Sequence, residues 1–349
     1  MMVKRDEILR WLLEEDEKRL EELWQQADRI RRENVGDQVH LRGLIEISNH
    51  CVRQCGYCGL SFGNKGLERY RMSEEEIISC VGDAETYGYG TVVLQSGEDY
   101  GVETEWLSRI IRQVKKETRL AVTLSLGERP DEDLETWRKA GADRYLLRFE
   151  TSDEGLYHSI HPSLPGRVSD RLAMLKTLKK LGYEAGSGVM IGIPGQTYAS
   201  LSYDIDLFRK LNLDMIGVGP YIPHPQTPLG QRERRHLISK EEQVPNTEQM
   251  TYKVIALTRI ACPDANIPST TALATINRER GRELGLMRGA NVVMPNLTPL
   301  KYRPKYEIYP SKACITEVPS ECHTCLYHRI GSIGRKIGTG QGDRIHRFG

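Results

Sequence analysis

The stretch that decides the fold covers residues 41–58 and reads LRGLIEISNHCVRQCGYC. Its first part, residues 41–47, has the apolar composition of a buried strand. Three cysteines follow shortly after it, Cys51, Cys55 and Cys58, at the spacing C-x3-C-x2-C. Soft thiolates of this kind suit zinc or an iron–sulfur cluster. The sequence therefore predicts a strand that leads into a metal-binding loop.

This strand is the first of eight apolar runs that alternate with helical patterns. The runs cover residues 41–47, 91–94, 121–124, 144–147, 187–191, 214–218, 266–270 and 291–294. The helical patterns cover residues 73–87, 104–117, 131–140, 168–181, 198–211 and 246–261. Such alternation predicts a parallel sheet, and eight units are the number that closes a (β/α)8 barrel of the TIM type, an α/β fold.

Two segments flank the predicted barrel. Apolar residues recur at helical spacing over residues 8–30, which predicts one or two leading amphipathic helices. The sequence after residue 298 has no regular pattern and is expected to be irregular. We therefore divide the chain into an N-terminal helical extension (1–35), the barrel (36–298) and a C-terminal segment (299–349), with no linker that indicates a second domain.

Charge and composition exclude several classes of function. Lys plus Arg number 49 and Asp plus Glu 48, for a net charge of +1, so no excess positive field is available to hold a phosphate backbone. Nucleic acid is not an expected partner. The chain shows no secretory signal pattern and no apolar run of transmembrane length, so we expect a cytoplasmic protein. In that reducing compartment the eight cysteines are expected to be metal ligands or free thiols.

Two kinds of metal site fit the first cysteine group. A structural zinc site takes four ligands, and His50 or a distant residue would complete it. Three thiolates on a 4Fe–4S cluster instead leave one iron without a protein ligand. That iron can chelate the amino and carboxylate groups of S-adenosylmethionine (SAM), and an electron passed to the sulfonium then releases a 5′-deoxyadenosyl radical.

The cysteine loop at the end of the first strand resembles that of the radical SAM superfamily, in which an aromatic residue commonly precedes the third cysteine, as Tyr57 does here. The resemblance implies an enzyme in which Cys51, Cys55 and Cys58 hold the catalytic 4Fe–4S cluster. It also implies SAM contacts, which fall on Tyr57, Gln95, Ser96, Gly97, Glu98, Ser125, Glu150, Arg171, Met190 and Ile193.

The implied SAM contacts are chemically sensible. Residues 96–98 offer acceptors to the SAM ammonium, Glu150 suits the ribose hydroxyls, and Arg171 suits the methionine carboxylate. Met190 and Ile193 offer apolar surface to adenine. Taken singly, the same residues also fit turns and solvated or ion-paired positions. Their joint placement at the strand ends favours a cofactor site.

Seven longer stretches of sequence narrow the resemblance to one family within this superfamily. They lie at residues 68–72, 93–99, 123–128, 142–148, 222–225, 268–272 and 294–296. Together they resemble the HydE family of [FeFe]-hydrogenase maturases, within the biotin-synthase-like subgroup. This implies that the radical acts on a cysteine-bound Fe(CO)2CN precursor during assembly of the hydrogenase diiron cofactor. It also implies three partners: HydG, which delivers the precursor, the scaffold maturase HydF, and ferredoxin or flavodoxin as reductant.

The resemblance places a substrate chamber inside the barrel. Its lining is expected from Thr123, Arg148, Met215, Thr270, Thr271, Ala272, Met294 and Tyr306. Hydroxyls and a guanidinium are the donors that a carboxylate needs, and arginine can bind one bidentately. Ordinary strand-end packing is the alternative. The proline-rich residues 219–228 are expected to form an active-site loop, in which His224 either contacts the iron complex or caps the loop.

A second cysteine group, Cys314, Cys322 and Cys325, has the spacing C-x7-C-x2-C. It resembles an auxiliary iron–sulfur site, 2Fe–2S or 4Fe–4S, that some members of the HydE family carry. A zinc site completed by His323 or His328 is the alternative.

Two other functions remain compatible with the sequence. A related radical SAM enzyme, similar to methylornithine synthase or biotin synthase, would act on an amino acid or a thiol. A non-catalytic iron–sulfur scaffold would need both cysteine groups but no SAM pocket. Residues Ser96, Glu98, Glu150 and Arg171 separate the two classes, because a scaffold has no use for them.

Overall fold

The computed structural model describes residues 3–167, 169–231 and 238–345. The chain begins with helices α1 (Arg5–Leu13) and α2 (Glu17–Val35), which confirms the leading helical pattern. Asp16 starts α2, where its carboxylate accepts a hydrogen bond from the N–H of Arg19 (3.0 Å). Among the described residues, no helix has the length and apolar character needed to cross a membrane.

In the described part of the chain, seven parallel strands form the curled sheet. They are β1 (Gln38–Ser48), β2 (Thr91–Ser96), β3 (Ala121–Ser125), β4 (Arg144–Leu146), β5 (Glu184–Ile191), β6 (Met215–Pro220) and β7 (Val292–Val293). Their order is β6-β5-β4-β3-β2-β1-β7. The seventh predicted run lies between β6 and β7, where Asn266 bridges Met215 and Pro268 bridges Val292. These bridges complete the ring, which confirms the predicted TIM-type barrel.

Helices alternate with the strands. They are α3 (Glu74–Thr86), α4 (Thr104–Glu117), α5 (Asp131–Ala140), α6 (Glu154–Ile160), α7 (Arg171–Lys180), α8 (Tyr198–Lys210), α9 (Pro228–Gln231), α10 (Glu248–Ala261), α11 (Thr271–Ile276), α12 (Gly281–Met287) and α13 (Pro319–Ser332). Ser73 and Glu76 form a capping box at the start of α3. Of the helix predicted at 168–181, Val168 lies outside the described residues and α7 begins at Arg171.

Helix α4 illustrates how the helices attach to the sheet. Its buried residues Leu107, Ile110, Ile111 and Val114 follow the i, i+3, i+4, i+7 spacing of one helix face. All four are at most 1% exposed. Replacing a buried leucine such as Leu107 by alanine costs about 2–5 kcal/mol, so this face anchors α4 to the core.

Residues 299–345 are largely irregular, as expected, but this described part of the C-terminal segment contains three regular pieces. A 3-10 helix covers Arg303–Lys305, α13 follows it, and the short strand β8 (Lys336–Ile337) comes last. Strand β8 pairs in parallel with the start of β1. This two-residue strand therefore attaches the C-terminal segment to the barrel wall.

Residues 338–344, which we call the plug, lie across the amino-terminal end of the barrel. The carbonyl of Gly342 accepts a hydrogen bond from Arg42 Nη2 (3.0 Å), and the carbonyl of Gln341 accepts one from Arg144 Nη2 (3.0 Å). Arg42 and Arg144 are 4% and 0% exposed. Buried guanidiniums need such acceptors, so the plug satisfies charges that the strands place inside the barrel.

Candidate active site

The cysteine loop after β1 is fixed by hydrogen bonds to three other parts of the barrel rim. The N–H of Gly56 donates to the carbonyl of Ile160 at the end of α6 (2.7 Å). The carbonyl of Gly56 accepts from the N–H of Leu229 in α9 (2.9 Å), and the N–H of Val52 donates to the carbonyl of Glu98 after β2 (2.9 Å). A loop held in this way presents its cysteines in one arrangement, as a preorganised site requires.

Two glycines allow close packing around this loop. A Cβ atom on Gly97 would lie 2.2 Å from the carbonyl oxygen of His50 and 2.8 Å from the Cβ of Cys51. A Cβ atom on Gly59 would lie 2.1 Å from the carbonyl oxygen of Glu307. A larger residue at either position would displace the loop. Gly97 thus supports the cysteines directly, in addition to its predicted contact with SAM.

The three thiols differ in exposure: Cys55 is buried, whereas Cys51 and Cys58 are partly exposed. Burial raises the pKa of all three, that of Cys58 to about 12, because an apolar surrounding disfavours the thiolate. Arg171 lowers the pKa of Cys55 in opposition to burial. Soft sulfur donors on one pinned loop, with a cation close by, fit an iron–sulfur cluster, which binds thiolates.

A buried ionic network lies beside the loop. Arg53, inside the cysteine motif, donates from Nε to Glu98 Oε1 (2.8 Å) and pairs through Nη2 with Glu128 Oε2 (2.8 Å). Arg171 donates from Nε to the other oxygen of Glu128 (2.9 Å). Glu128 therefore joins the two cations. Glu98 is ion-paired in this state, and its contact with the SAM ammonium stays a prediction.

Glu150 stands just after β4 in a strained conformation. Its φ of +63° lies in the left-handed region, which costs a residue other than glycine on the order of 1–3 kcal/mol. Its carboxylate forms a two-point ion pair with Arg148. The structure thus brings together one residue predicted for SAM and one predicted for the substrate. Strained backbone conformations of this kind cluster at functional sites.

The residues predicted to contact adenine lie in one small apolar cluster. Its buried members are Leu156, Ile160, Ile193, Tyr221 and Leu229, with Tyr57 and Met190 packed against them. Tyr57 and Met190 are partly exposed, whereas Ile193 is fully buried. The first two can therefore present apolar surface to a ligand, while Ile193 supports them within the cluster.

The predicted substrate residues lie at two levels of the barrel. Thr123 in β3 is 2% exposed, and its hydroxyl has no hydrogen-bond partner in the described part of the chain. A ligand or a water molecule would satisfy it. The hydroxyl of Tyr306 accepts a hydrogen bond from Gln95 Nε2 (3.2 Å). Met215, in contrast, starts β6 at the amino-terminal end and contacts Arg42 Nη1 (2.8 Å), so the structure does not bring it to the rim.

The segment 270–272 combines a structural role with its predicted binding role. Oγ1 of Thr270 accepts a hydrogen bond from the N–H of Leu273 and so caps α11. A Cβ atom on Gly219 would lie 3.0 Å from Oγ1 of Thr270 and 3.5 Å from the Cβ of Ala272. This segment therefore packs closely against β6. Thr271, the first residue of α11, is partly exposed, as are Ser125 at the end of β3 and Met294 just after β7.

Two other predicted residues are engaged with the protein itself. Ser96 donates from Oγ to the carbonyl of Gly97 (2.5 Å). His224 is 3% exposed, its Nδ1 accepts from the N–H of Gln226 (3.1 Å), and its Nε2 lies 3.3 Å from Glu307 Oε1. Because both ring nitrogens have partners, these contacts favour the loop-capping role of His224.

The structure brings together two of the three cysteines of the second group, Cys314 and Cys322. Sγ of Cys314, Sγ of Cys322 and a carboxylate oxygen of Glu317 lie within 4.8 Å of one another. They border a cavity of about 530 Å³, which Cys325 also lines, although Cys325 is exposed and outside the group. Arg282 Nη2 donates to Sγ of Cys314 (2.8 Å). The hydrogen bond with Cys322 and the charge of Arg282 lower the pKa of Cys314 to about 7.

In the described part of the chain, neither of the two histidines considered as alternative zinc ligands belongs to this group of donors. His323 stacks on Tyr87 with ring centroids 4.8 Å apart, and its Nδ1 lies 3.3 Å from the hydroxyl of Tyr89. His328 is exposed on α13. The third donor beside the two sulfurs is therefore a carboxylate, which sequence reasoning did not identify.

Sequence reasoning also missed three members of the ionic network, Arg53, Glu128 and His161. The position of Arg53 could have indicated such a network, because a cation between the cluster cysteines needs anionic partners if it is buried. Glu128 lies in one of the strings quoted for the family resemblance, but nothing local indicated its partner. His161 Nε2 lies 2.6 Å from Arg171 Nη2, a contact that depends on how the chain folds between α6 and α7.

Comparison with known proteins shows which family this chain resembles. The model of the radical SAM superfamily matches residues 45–208, which include the cysteine loop and the ionic network. The [FeFe] hydrogenase maturase subunit HydE of Thermotoga maritima is 46% identical over 328 residues, which cover 94% of this chain and 90% of that protein. 3-Methylornithine synthase of Methanosarcina acetivorans is 30% identical, over 82% of this chain and 78% of that protein.

Among solved structures, the crystal structure of methylornithine synthase (PylB) has a TM-score of 0.81 at 24% identity, covering 97% of this chain and 95% of that chain. The barrel and the superfamily match define a radical SAM enzyme, a class that implies a 4Fe–4S cluster and SAM as cofactors. With 46% identity over nearly the whole of both chains, the chain belongs to the HydE family of [FeFe]-hydrogenase maturases.

Proposed function

We propose that the protein cleaves SAM and directs the 5′-deoxyadenosyl radical at a cysteine-bound Fe(CO)2CN complex during assembly of the hydrogenase diiron cofactor. The observation that carries this proposal is the 46% identity to HydE of Thermotoga maritima along nearly the full length of both proteins. In this setting HydG supplies the complex, HydF receives the product, and ferredoxin or flavodoxin is the reductant, all in the cytoplasm.

The rim residues take the cofactor roles that the family resemblance implies. Cys51, Cys55 and Cys58 hold the 4Fe–4S cluster, which when bound supplies the electron for SAM cleavage. Arg171 binds the methionine carboxylate and Glu150 the ribose hydroxyls, since each presents the complementary hydrogen-bonding group. Tyr57 and Met190 supply the apolar wall for adenine. The remaining cofactor contacts are Gln95, Ser96, Gly97, Glu98, Ser125 and Ile193.

The barrel interior receives the proposed substrate. Arg148 suits the cysteine carboxylate. The hydroxyl of Thr123, which has no partner among the described residues, is available as a further donor. The plug covers the amino-terminal end, and excluding water protects a reactive intermediate from side reactions. The remaining lining residues in this proposal are Thr270, Thr271, Ala272, Met294 and Tyr306, and Met215 is left out because it lies at the amino-terminal end of β6.

We also propose an auxiliary iron–sulfur cluster at Cys314, Cys322 and Cys325. Two of these sulfurs already lie together at a cavity that the third lines. Glu317 adds an oxygen donor to the same group. A lower iron content in Cys314→Ser, with SAM cleavage retained, would support this site. Zinc in the purified wild-type protein would instead identify it as a structural zinc site.

The test of the substrate is an anaerobic assay of the reduced, reconstituted protein with SAM and a synthetic cysteine-bound Fe(CO)2CN complex. We expect deoxyadenosine to form and the complex to be consumed, with neither occurring in Cys55→Ala. Cleavage that requires a free amino acid instead of the iron complex would favour an activity like that of methylornithine synthase. An intact cluster without any SAM cleavage would favour a scaffold.

A further inference from the structure

His161 holds the guanidinium that we propose to bind SAM. Its Nε2 lies 2.6 Å from Nη2 of Arg171. The imidazole is 0% exposed and stacks on the ring of Tyr157, with centroids 4.9 Å apart. The hydroxyl of Tyr157 in turn lies 2.7 Å from Oγ of Ser169, which donates to Glu128 (2.6 Å). The ring is therefore fixed by packing on the same network that it joins.

The pairing with arginine determines the tautomer of His161. A guanidinium has only donors, so Nε2 accepts and the ring hydrogen resides on Nδ1. Nδ1 is buried and has no partner among the residues that the structure describes. A buried donor without an acceptor is unfavourable, so Nδ1 does not explain why the ring is buried here. The contact of Nε2 with Arg171 does.

His161 also remains uncharged. Burial, followed by the positive charges of Arg171 and Arg53, lowers its pKa to about 2. The network then holds two cations, Arg53 and Arg171, and two carboxylates, Glu98 and Glu128. A further carboxylate in place of the imidazole would hold Arg171 as well, but it would neutralise the charge that a ligand carboxylate needs.

Arg171 is held at three points. Its Nε donates to Glu128 Oε1 (2.9 Å), its Nη1 to the carbonyl of Arg148 (2.6 Å), and its Nη2 to His161. A guanidinium has two N–H groups on each terminal nitrogen, so the contacts with described residues leave one on Nη1 and one on Nη2. Two remaining N–H groups on separate nitrogens are what bidentate binding of a carboxylate requires.

We propose that His161 is a positioning residue for SAM, which orients Arg171 towards the methionine carboxylate without adding negative charge beside it. This inference rests on the role proposed above for Arg171. A neutral acceptor with the reach of Nε2 is the property that matters, and the amide oxygen of glutamine reproduces it.

The test measures SAM affinity by isothermal titration calorimetry on the anaerobic holoprotein with an oxidised cluster, so that SAM is not cleaved. We expect His161→Leu to raise the Kd of SAM about tenfold, since a hydrogen bond to a charged group is lost. His161→Gln should stay within about threefold of wild type, because it restores the acceptor. In turnover assays, His161→Leu should raise KM for SAM and leave kcat at saturating SAM nearly unchanged. An unchanged Kd in His161→Leu would overturn the inference.

Two further variants keep the test decisive. His161→Glu retains an acceptor but adds a charge, so it should also raise the Kd about tenfold; if it binds SAM as well as His161→Gln, neutrality has no role and the inference fails. This comparison decides the matter even if His161→Leu does not fold. Arg171→Ala distinguishes the role of Arg171 from that of His161. An unchanged Kd for SAM in Arg171→Ala would refute the proposed role of Arg171. A raised Kd in Arg171→Ala, with an unchanged Kd in the His161 variants, would refute only the role of His161.

Discussion

Arg148 and Glu150 neutralise each other just after β4, through contacts of 3.0 Å from Nε to Oε1 and 3.0 Å from Nη2 to Oε2. One belongs to the proposed substrate site and the other to the proposed SAM site. A ligand that binds either residue must therefore bind alongside this ion pair or break it. The pair therefore links the two sites physically, and the two residues can be tested separately.

Glu150→Gln is expected to raise KM for SAM about five- to tenfold, because a neutral acceptor replaces a charged one at a difference of about 1 kcal/mol. Arg148→Lys should change KM for SAM less than about twofold while it slows consumption of the iron complex, since lysine cannot bind a carboxylate bidentately. Steady-state deoxyadenosine formation at varied SAM concentration checks both. The same effect of both variants on KM for SAM would show that the pair acts only as a structural unit.

The close packing of the plug against Gly90 can be tested by substitution. A Cβ atom there would lie 1.7 Å from the carbonyl oxygen of Gly340, so Gly90→Ala should push the plug away from the barrel. We expect faster hydrogen–deuterium exchange over residues 336–344 and a lower melting temperature. Gly82→Ala is the matched control, because that helical position has nothing within 4 Å of an added Cβ. Unchanged exchange in Gly90→Ala would mean that the plug does not depend on this contact.

Asp204 in α8 predicts a pH dependence of stability. Its carboxylate accepts a hydrogen bond from the N–H of Ser152 (2.8 Å), and its other oxygen is buried without a partner among the described residues. Burial raises its pKa from 3.8 to about 7. The folded state thus binds more protons than the unfolded state between these values, and the free energy of unfolding falls as pH rises through this window.

Asp204→Asn mimics the protonated acid and should remove this dependence. At pH 8 it is expected to be more stable than wild type by up to about 4 kcal/mol, and at pH 4 nearly equal to it. Thermal unfolding of both proteins between pH 4 and pH 8 checks the prediction. A stability difference that does not grow with pH would contradict the raised pKa.

The two cysteine groups are expected to divide their roles. Cys55→Ala should abolish SAM cleavage, because the proposed catalytic cluster loses a ligand, whereas Cys322→Ala should leave cleavage largely intact. Deoxyadenosine formation and iron content, measured on the same preparations, separate loss of chemistry from loss of metal. Equal loss of cleavage in both variants would rule out this division.

The regular part of the fold could be predicted because its signals are local. Helices α4 and α5 have the predicted bounds, since each carries an apolar stripe over several turns. Helices α6, α9, α11 and α12 have only four to seven residues, too few for a helical period to appear. The seventh barrel segment was predicted as a strand, although only single bridges form there.

The candidate site could be predicted where it depends on spacing, as the cysteine loop does. Its charge partners could not, because they come from different loops. Arg53 and Glu98, which pair beside the cysteine loop, are 45 residues apart in the chain. Glu317 joins Cys314 and Cys322 through the fold of the segment before α13, and cysteine spacing gives no sign of an oxygen donor.

The central claim is that the cysteine loop holds a 4Fe–4S cluster that binds SAM. Electron paramagnetic resonance of the anaerobically reconstituted, reduced protein, recorded with and without SAM, tests it most directly when deoxyadenosine is assayed in the same sample. We predict a low-spin 4Fe–4S signal that changes on addition of SAM, together with deoxyadenosine formation. A cluster signal that does not respond to SAM, or a protein that contains zinc instead of iron, would contradict the account.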